Sequence, residues 1–348
     1  MANTKTVSRT LALVGFNLVV ALVLLEGVLL VLLHVRRVTA WSPPSVRALA
    51  QQVYRHFVRN LVQFDESCAR YDPVVTYTLK PGTCTFDNLE FTTELHVNRL
   101  GLRDGNDALA GPEVIVLGDS HAMGWGVGQE EAFPRVAARK TGLNILNAAV
   151  SSYGTVREML LLDRLDRSRL RALVIQYSDN DVVENAAFRA NANHLPITPQ
   201  PRYQEFVRYY RSQRAYFPGK YVFRLFLKIS RLETAEPDSP AFSPTSPDEE
   251  VSLFVNALEH AGHTPLEGVR LIVLEVGQDF AHPRAFISAL ADWSRRPDTA
   301  AFYQQLVTLD TTTIIRAEDF YILDDHMTAR GHERLGEALG ELLTRLVR

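Results

Sequence analysis

The chain has 348 residues, of which 46% are hydrophobic and 22% charged. This composition excludes a disordered or fibrous protein and predicts one sizeable folded domain with appendages. The formal net charge is -3, with 37 Lys and Arg against 40 Asp and Glu. Because the chain has no excess of positive charge to bind the phosphates of a nucleic-acid backbone, nucleic acid is excluded as a partner.

After an N-terminal tail of residues 1–10, an apolar segment predicts a transmembrane helix over residues 11–33. At about 1.5 Å per residue, a helix of about 23 residues crosses a hydrocarbon layer about 30 Å thick. A cleaved signal peptide is the alternative, because the sequence 38–40 ends in the small residue Ala40. The apolar run is, however, about twice the length of a normal signal-peptide core.

The orientation of this helix stays open. Lys5 and Arg9 precede it, while Arg36, Arg37 and Arg47 follow it. The positive-inside rule therefore does not favour a domain outside the cytoplasm.

Glu26 lies inside the predicted span, where a carboxylate is costly. One interpretation is a functional or helix-pairing site. The other is a neutral or snorkelling side chain near the membrane edge.

Residues 34–66 are predicted to form a juxtamembrane stalk, because Pro43 and Pro44 break the apolar pattern and helical periodicity returns from Val46 to Val62.

Residues 67–110 predict a small β-rich segment, with a strand-like run at 74–79 and alternating residues at 91–97. Both cysteines of the chain, Cys68 and Cys84, lie here. A disulfide between them would stabilise the fold by about 3 kcal/mol and would require an oxidising compartment. Two unrelated buried thiols are the alternative.

Residues 111–348 alternate apolar, strand-like runs with helical patterns, which is typical of a parallel sheet flanked by helices. The predicted fold is α/β, a three-layer α/β/α sandwich around a parallel sheet of about five strands, of the flavodoxin-like kind. Four of the strands can be located, at 114–118, 144–150, 172–178 and 270–276.

A long insertion at 190–250 interrupts this pattern. Residues 203–231 are rich in aromatic and basic side chains, which predicts either a lid or membrane-surface helix, or an amphipathic helix packed on the sheet. Residues 233–250 hold four prolines among acidic and serine residues, which predicts a disordered or mobile loop.

Ser120 directly follows the first strand in the sequence Gly118-Asp119-Ser120-His121. Its hydroxyl is therefore expected at the carboxyl end of the sheet, where open α/β folds bind their ligands. Alone the motif is weak, since a serine at a strand end is usually a helix cap.

Near the C-terminus, His326 follows Asp324 and Asp325. An imidazole oriented by a carboxylate is the base that an unactivated serine needs. His332 is the weaker candidate, because it lies in the closing helix without an adjacent acid.

An acyl-transfer site also needs donors for the developing oxyanion. Gly154 follows the second strand and Asn180 the third. A glycine N–H can approach a substrate closely, and an Asn amide donates without charge. A turn glycine and an Asx-turn are the alternatives.

In the order Ser, Gly, Asn and His, these blocks resemble the SGNH/GDSL hydrolase superfamily. The likeness runs from about Glu113 to the C-terminus. The surrounding sequences resemble a group of bacterial envelope proteins within that superfamily, including relatives that acetylate polysaccharides: GDSHAMGWGVGQEEAFP, LNAAVSSYGT, YSDNDVVEN and DFYILDDHMTARGH.

The resemblance implies that Ser120 is the nucleophile, His326 the base and acid, and Asp324 the orienting carboxylate, with Asp325 as the alternative acid. It implies an oxyanion hole with three donors, the backbone N–H of Ser120, Gly154 and Asn180.

Three positions depart from the superfamily pattern. Ser178 replaces a glycine in the third block, His121 stands where an apolar residue is common, and the Asp lies two rather than three residues before His326. His121 is either a substrate contact or a packed neighbour of the site, and Asp181 and Asn185 are candidates for the pocket rim.

The predicted function is a serine esterase acting on acyl esters, such as acetyl groups of an envelope carbohydrate, without cofactor or metal. An O-acyltransferase would use the same site. Two further classes are a metal-dependent phosphoesterase, for which the Asp-x-His and Asn-His-Asp motifs are lacking, and a non-catalytic binding module.

The resemblance also implies a place in the cell. We expect a single-pass protein of the bacterial inner membrane, with its catalytic domain in the periplasm and with envelope or polysaccharide-assembly proteins as partners.

Overall fold

The computed structural model describes residues 2–230, 244–263, 265–277 and 285–347, with side chains from residue 8 onward. The described residues divide into two compact units. The helical unit contains residues 2–60, 209–230 and 322–324, and the sheet unit contains the remainder.

The described part of the chain begins with helices, continues with short strands, and mixes strands with helices from residue 114 onward. The helices are α1 (Ala2–His34), α2 (Arg36–Trp41), α3 (Pro44–Phe57), α4 (Ser120–Met123), α5 (Phe133–Thr141), α6 (Thr155–Leu162), α7 (Asp179–Ala190), α8 (Gln200–Arg214), α9 (Lys220–Ile229), α10 (Pro247–His260), α11 (Ala285–Ser294) and α12 (Ala329–Val347). The strands are β1 (Ala69–Asp72), β2 (Thr76–Leu79), β3 (Gly82–Asp87), β4 (Thr92–Val97), β5 (Val114–Leu117), β6 (Ile145–Asn147), β7 (Ala172–Tyr177), β8 (Arg270–Glu275) and β9 (Val307–Leu309).

The helical unit is built around α1, of which Ser8–His34 is long and apolar enough to cross a membrane. The segment predicted as a stalk does not stand alone in this unit. Helix α3 begins at Pro44, a residue that suits the first helical turn. Its apolar face, which includes Val53 and Phe57, packs with Leu29 and Leu33 of α1 in one buried cluster. The stalk is therefore part of a folded helical unit, because one face of α3 is apolar and has α1 to cover it.

The sheet unit begins with two antiparallel pairs, β1 with β2 and β3 with β4. A disulfide joins Cys68, just before β1, to Cys84 in β3, with the two Cα atoms 5.5 Å apart. The bridge links the two pairs covalently.

Replacing Cys68 and Cys84 together by Ala is expected to lower the free energy of unfolding by about 3 kcal/mol, because the reduced chain regains the conformational freedom of a loop of about 16 residues. Urea unfolding of the double variant, with unreduced and reduced wild type beside it, measures the change. If reduction leaves the wild-type midpoint unmoved, the bridge contributes no stability.

The main sheet confirms the predicted fold. Its five strands lie in the order β6-β5-β7-β8-β9 and are all parallel. Alternate residues of β5 lie on opposite faces of the sheet and belong to different buried clusters. Ile115 and Leu117 lie in one cluster, and Val114 and Val116 lie in the other. One core includes residues of α6, α7, α10 and α11, and the other includes residues of α5 and α12. Both faces of the sheet are therefore covered by helices, which makes a three-layer sandwich.

The predicted loop at 233–250 is partly wrong. Residues 233–243 lie outside the described residues, but helix α10 begins at Pro247. Ser246 caps this helix, because its Oγ accepts a hydrogen bond of 3.2 Å from the N–H of Glu249. The start of a helix is marked here by a serine cap, a proline in the first turn and acidic residues after it. These signals favour a helix, although the polar composition of the segment had predicted a loop.

Candidate active site

The site lies at the carboxyl edge of the main sheet. Strand β5 has β6 on one side and β7 on the other, so the chain leaves β5 at the point where the strand order reverses. Open α/β sheets bind ligands at such switch points. Ser120 follows β5, Gly154 follows β6 and Asn180 follows β7, so the fold brings these three blocks to neighbouring strand ends.

The turn before Ser120 is held by the side chain of Gln176, which was not among the site residues predicted from the sequence. Gly118 has φ +152°, and a Cβ there would lie 2.7 Å from Gln176 Oε1. That oxygen accepts hydrogen bonds of 3.1 Å from the N–H groups of Asp119 and Ala122. Gln176 is completely buried in β7. A polar residue near the end of an otherwise apolar strand was the signal that could have revealed it.

Arg103 fixes the other end of the same short helix. It is almost completely buried, and its guanidinium donates to the carbonyl oxygens of Met123 (3.0 Å), Gly124 and Val127 (2.5 Å). Burial lowers the pKa of Arg103 to about 10, so the group remains charged at neutral pH. It therefore places a positive charge at the carbonyl end of α4, where a cation is stabilising.

Ser120 and His326 lie in hydrogen-bonding contact. The distance from His326 Nε2 to Ser120 Oγ is 2.7 Å. The imidazole stacks on Trp125, with ring centres 4.7 Å apart and an angle of 17° between the planes. Both His326 and Trp125 are buried. The stacking restricts the imidazole to the plane from which Nε2 reaches the hydroxyl.

Two carboxylates precede His326 in the chain. Asp325 Oδ1 lies 3.1 Å from His326 Nδ1, and the Asp325 side chain is 22% exposed. Asp324 is completely buried, and its Oδ2 accepts a hydrogen bond of 2.5 Å from the hydroxyl of Tyr54. The guanidinium Nε of Arg59 lies 4.0 Å from the same oxygen.

The two predicted oxyanion donors lie at helix starts. Gly154 immediately precedes α6, and a Cβ at this position would lie 2.9 Å from the Cβ of Glu184. Asn180 lies in the first turn of α7 and donates from Nδ2 to the carbonyl of Tyr153, at 2.7 Å. This bond orients the amide and uses one of its two hydrogens. The starts of α6 and α7 also direct the positive ends of their dipoles toward this edge of the sheet.

Ser178, which replaces the usual glycine, connects two of the blocks. Its Oγ lies 2.5 Å from Asp119 Oδ2 and also contacts Asn180 Oδ1. The hydroxyl therefore links the residue before the nucleophile to the Asn of the third block. A glycine could not make this link, so the departure adds a contact inside the site.

Asp181 and Asn185 do not line a pocket rim, which corrects the sequence-based prediction. Both are completely buried. Asp181 accepts hydrogen bonds from Thr155 Oγ1 (2.7 Å) and from the N–H of Ser178 (2.8 Å), while Asn185 Nδ2 donates to Thr155 Oγ1 (3.3 Å). These residues face α6 because they lie one helical turn apart on the inner face of α7.

A second buried acid lies beside Asp181. Glu158 in α6 is completely buried, and neither of its carboxyl oxygens accepts a hydrogen bond from the described part of the chain. Burial raises the pKa of Glu158 well above its ordinary value, and the charges of Asp181 and Asp119 raise it further. Burial also raises the pKa of Asp181 well above its ordinary value, as does the charge of Asp119.

A Glu158→Gln variant is expected to make stability less dependent on pH. The folded state binds the Glu158 proton more tightly than the unfolded chain does, so wild-type stability is lost as pH rises from the ordinary value of 4.5 through the raised one. Each pKa unit corresponds to about 1.4 kcal/mol. Urea unfolding between about pH 5 and 9 should therefore show a smaller loss for Glu158→Gln, by at least about 1 kcal/mol.

Glu337→Gln, on the exposed face of α12, is the control and should follow wild type. Parallel pH curves for wild type and Glu158→Gln would show that Glu158 is ionised at neutral pH.

The other two histidines of interest lie in different surroundings. His121 is buried, and its ring centre lies 4.7 Å from that of His326. His332 is completely buried against Phe133, whose N–H donates to its Nδ1 at 3.3 Å. Burial lowers the pKa of His332 well below its ordinary value, as do the charges of nearby basic groups. His332 is therefore a neutral core residue at neutral pH.

No protein-family model and no curated protein sequence matches the chain. Solved structures align with it weakly. A protein described as lipolytic and of the G-D-S-L family from Desulfitobacterium hafniense is 11% identical, with 66% of this chain and 98% of that one covered and a TM-score of 0.34. A protein described as a GDSL-like lipase from Bacteroides ovatus is 11% identical, with coverage of 68% and 53% and a TM-score of 0.38.

An acetyl xylan esterase from the rumen bacterium Butyrivibrio proteoclasticus is 10% identical, with 67% of this chain and 63% of that one covered and a TM-score of 0.38. Similarity at this level does not assign a function to the chain.

Proposed function

We propose that the chain is a serine hydrolase of the SGNH/GDSL type that cleaves acyl esters through an acyl-enzyme. The observation that carries the proposal is the 2.7 Å contact between Ser120 Oγ and His326 Nε2 at the switch point of the sheet. An unactivated serine is a weak nucleophile, and an imidazole in hydrogen-bonding contact with it is the base that removes its proton.

The proposed reaction has two steps, acylation of Ser120 and hydrolysis of the acyl-enzyme. His326 Nε2 takes the proton of Ser120 as Oγ forms a bond to the carbonyl carbon of the ester, and it returns that proton to the leaving alcohol when the C–O bond breaks. Water then loses a proton to His326 and attacks the acyl-enzyme, and Ser120 recovers its proton when the acid leaves. The negative oxygen formed in each step is stabilised by the backbone N–H of Ser120, the N–H of Gly154 and the amide of Asn180.

We propose Asp324 as the carboxylate that orients His326, with Asp325 as the alternative. A triad carboxylate is typically buried and held by hydrogen bonds. Asp324 is completely buried and accepts from Tyr54, whereas Asp325 is partly exposed although it lies next to Nδ1.

The substrate class follows from the resemblance alone. The sequence resembles envelope proteins that act on acetylated polysaccharides, so we propose O-acetyl groups of a carbohydrate as the substrate. An O-acyltransferase is the second candidate, because it would form the same acyl-enzyme and pass the acyl group to a sugar hydroxyl instead of water.

Helix α1 and the disulfide support a location for this activity. We propose that α1 anchors the chain in the bacterial inner membrane and that the sheet unit lies in the periplasm. A disulfide forms and persists in an oxidising compartment such as the periplasm.

The experiment that tests the function is acetate release from p-nitrophenyl acetate and from an acetylated xylo-oligosaccharide, with and without an unacetylated oligosaccharide acceptor. Hydrolysis without acceptor supports the esterase, and an absolute need for acceptor would favour the transferase. Loss of turnover in chelator would instead indicate a metal-dependent enzyme. Absence of turnover on every ester would favour a binding module.

A further inference from the structure

Glu26 is paired within the chain, although it lies inside the candidate membrane span. It is almost completely buried in the helical unit. Its carboxylate accepts hydrogen bonds from the N–H of Val222 (3.0 Å), the N–H of Tyr221 (3.4 Å) and the hydroxyl of Tyr216 (3.2 Å). The first-turn N–H groups of a helix have no partner within the helix. Glu26 satisfies two of these groups in α9 and so attaches α9 to α1.

Helix α9 has two chemically different sides. Arg224 and Lys228, one helical turn apart, form a short basic stripe on one side, whereas Lys220 is buried and its ammonium donates to the carbonyl oxygen of Gln213. The apolar side includes Phe223 and Phe226, which are 50% and 58% exposed. Large exposed aromatic groups opposite a basic stripe are typical of a helix that lies in a membrane interface.

The depth of this helix follows from its attachment. Glu26 lies eight residues before His34, the last residue of the candidate span, which is about 12 Å along the helix axis. In a membrane that α1 crosses, α9 therefore begins within one leaflet, whose acyl-chain layer is about 15 Å thick.

Between α1 and α9 lies an open groove of about 750 Å³. Its walls include Leu22, Val23 and Gly27 of α1 and Val222, Phe223 and Phe226 of α9. Glu26 supplies the charged group among its lining residues, and its carboxylate already binds the start of α9. A volume of this size is typical of small-molecule pockets, which range from about 300 to 1,000 Å³. Because the walls are mostly apolar, an apolar occupant fits the groove better than a polar one.

We propose that this groove binds an acyl chain of an anionic phospholipid, whose headgroup contacts the basic stripe of α9. The proposal rests on the membrane insertion of α1 proposed above and is independent of ester hydrolysis. Two observations identify the occupant. One wall belongs to the candidate span itself, so in a membrane the groove opens to hydrocarbon. The exposed Lys228 and the neighbouring Arg224 match the negative charge of the headgroup, at about 1 kcal/mol per basic residue near the surface.

The test uses the full chain in nanodiscs that contain a phosphatidylglycerol with a photoreactive diazirine in its acyl chain. Gly27→Leu fills the groove, since a Cβ on Gly27 would meet no atom within 4 Å. Gly15→Leu is the matched control, because it adds the same side chain at an equally open position of α1 that does not line the groove.

The expected result is cross-linking to residues 19–30 and 216–226. The yield should fall about tenfold in Gly27→Leu, which corresponds to about 1.4 kcal/mol of binding free energy. The yield should stay unchanged in Gly15→Leu. Val222→Trp, which fills the groove from α9, should behave as Gly27→Leu does. Unlabelled phosphatidylglycerol should compete better than phosphatidylcholine.

Four results would overturn the proposal. Equal yields in Gly27→Leu and Gly15→Leu would mean that the labelled lipid only surrounds α1. Equal competition by phosphatidylcholine would remove the role of the basic stripe. Absence of lipid adducts at the groove residues in nanodiscs that hold two copies of the chain would assign the groove to helix pairing. Extraction of the wild-type chain from membranes by alkaline carbonate would refute the insertion itself, and acetyl-ester turnover in the same nanodiscs reports on hydrolysis separately.

Discussion

Replacing Ser120 by Ala is expected to lower acetyl-ester hydrolysis by about a millionfold, and His326→Ala should cost about as much. In the proposed mechanism Ser120 Oγ forms the acyl-enzyme, and His326 Nε2, 2.7 Å away, takes its proton. Neither loss can be compensated by the other residue. The measurement is kcat and KM on p-nitrophenyl acetate, with circular dichroism to show that each variant is folded.

The two losses should not add. A Ser120→Ala, His326→Ala double variant is expected to be no slower than either single variant, because the residues act as one unit. Ser168→Ala and His263→Ala, at exposed positions, are the controls and should keep wild-type rates. Losses that multiply in the double variant would show that Ser120 and His326 contribute independently, which contradicts the mechanism.

The second large effect is expected at the carboxylates before His326. Asp324→Asn should lower kcat by about 10⁴-fold with little change in KM, because a neutral amide favours the wrong tautomer of the imidazole and cannot stabilise the imidazolium. Asp324 is suited to this role by complete burial and by the hydrogen bond from Tyr54.

Asp325→Asn is the matched comparison, since it makes the same chemical change one residue later. We expect a loss below about 100-fold, because a partly exposed carboxylate is replaced more easily by water. The opposite order of the two losses would assign the orienting role to Asp325. Equal and small losses would contradict a Ser-His-Asp triad.

The sheet could be predicted because both of its faces are buried. Runs such as 114–117 and 172–177 are apolar at nearly every position, so they stand out against the helical patterns between them. Strand β9, with only three half-buried residues, carries no comparable signal. The order of the strands was not predicted, because pairing between strands that are distant in the chain leaves no local pattern.

The site could be predicted less completely, for two physical reasons. Ser120 and His326 could be proposed as site residues because their residue types are chemically distinctive and follow structural boundaries. Asp181 and Asn185 were misplaced because a sequence shows helical spacing but not which face of α7 meets α6. The pairing of Glu26 with α9 joins residues 196 positions apart, and no local pattern reports such a contact.

Gln176 and Arg103 illustrate a related limit. Their side chains bind backbone groups around α4, and backbone partners leave no mark in the sequence. Both are buried polar residues whose hydrogen bonds hold the backbone around Ser120, and the partners of these side chains are identified only when the backbone is known.

Labelling with a fluorophosphonate probe tests directly whether Ser120 is an activated nucleophile. The full chain in detergent should react at neutral pH, with the adduct mapped by mass spectrometry to the peptide that contains Ser120 and abolished in Ser120→Ala and His326→Ala. Folded wild-type protein that does not react, or that reacts equally in His326→Ala, would contradict activation of Ser120 by His326.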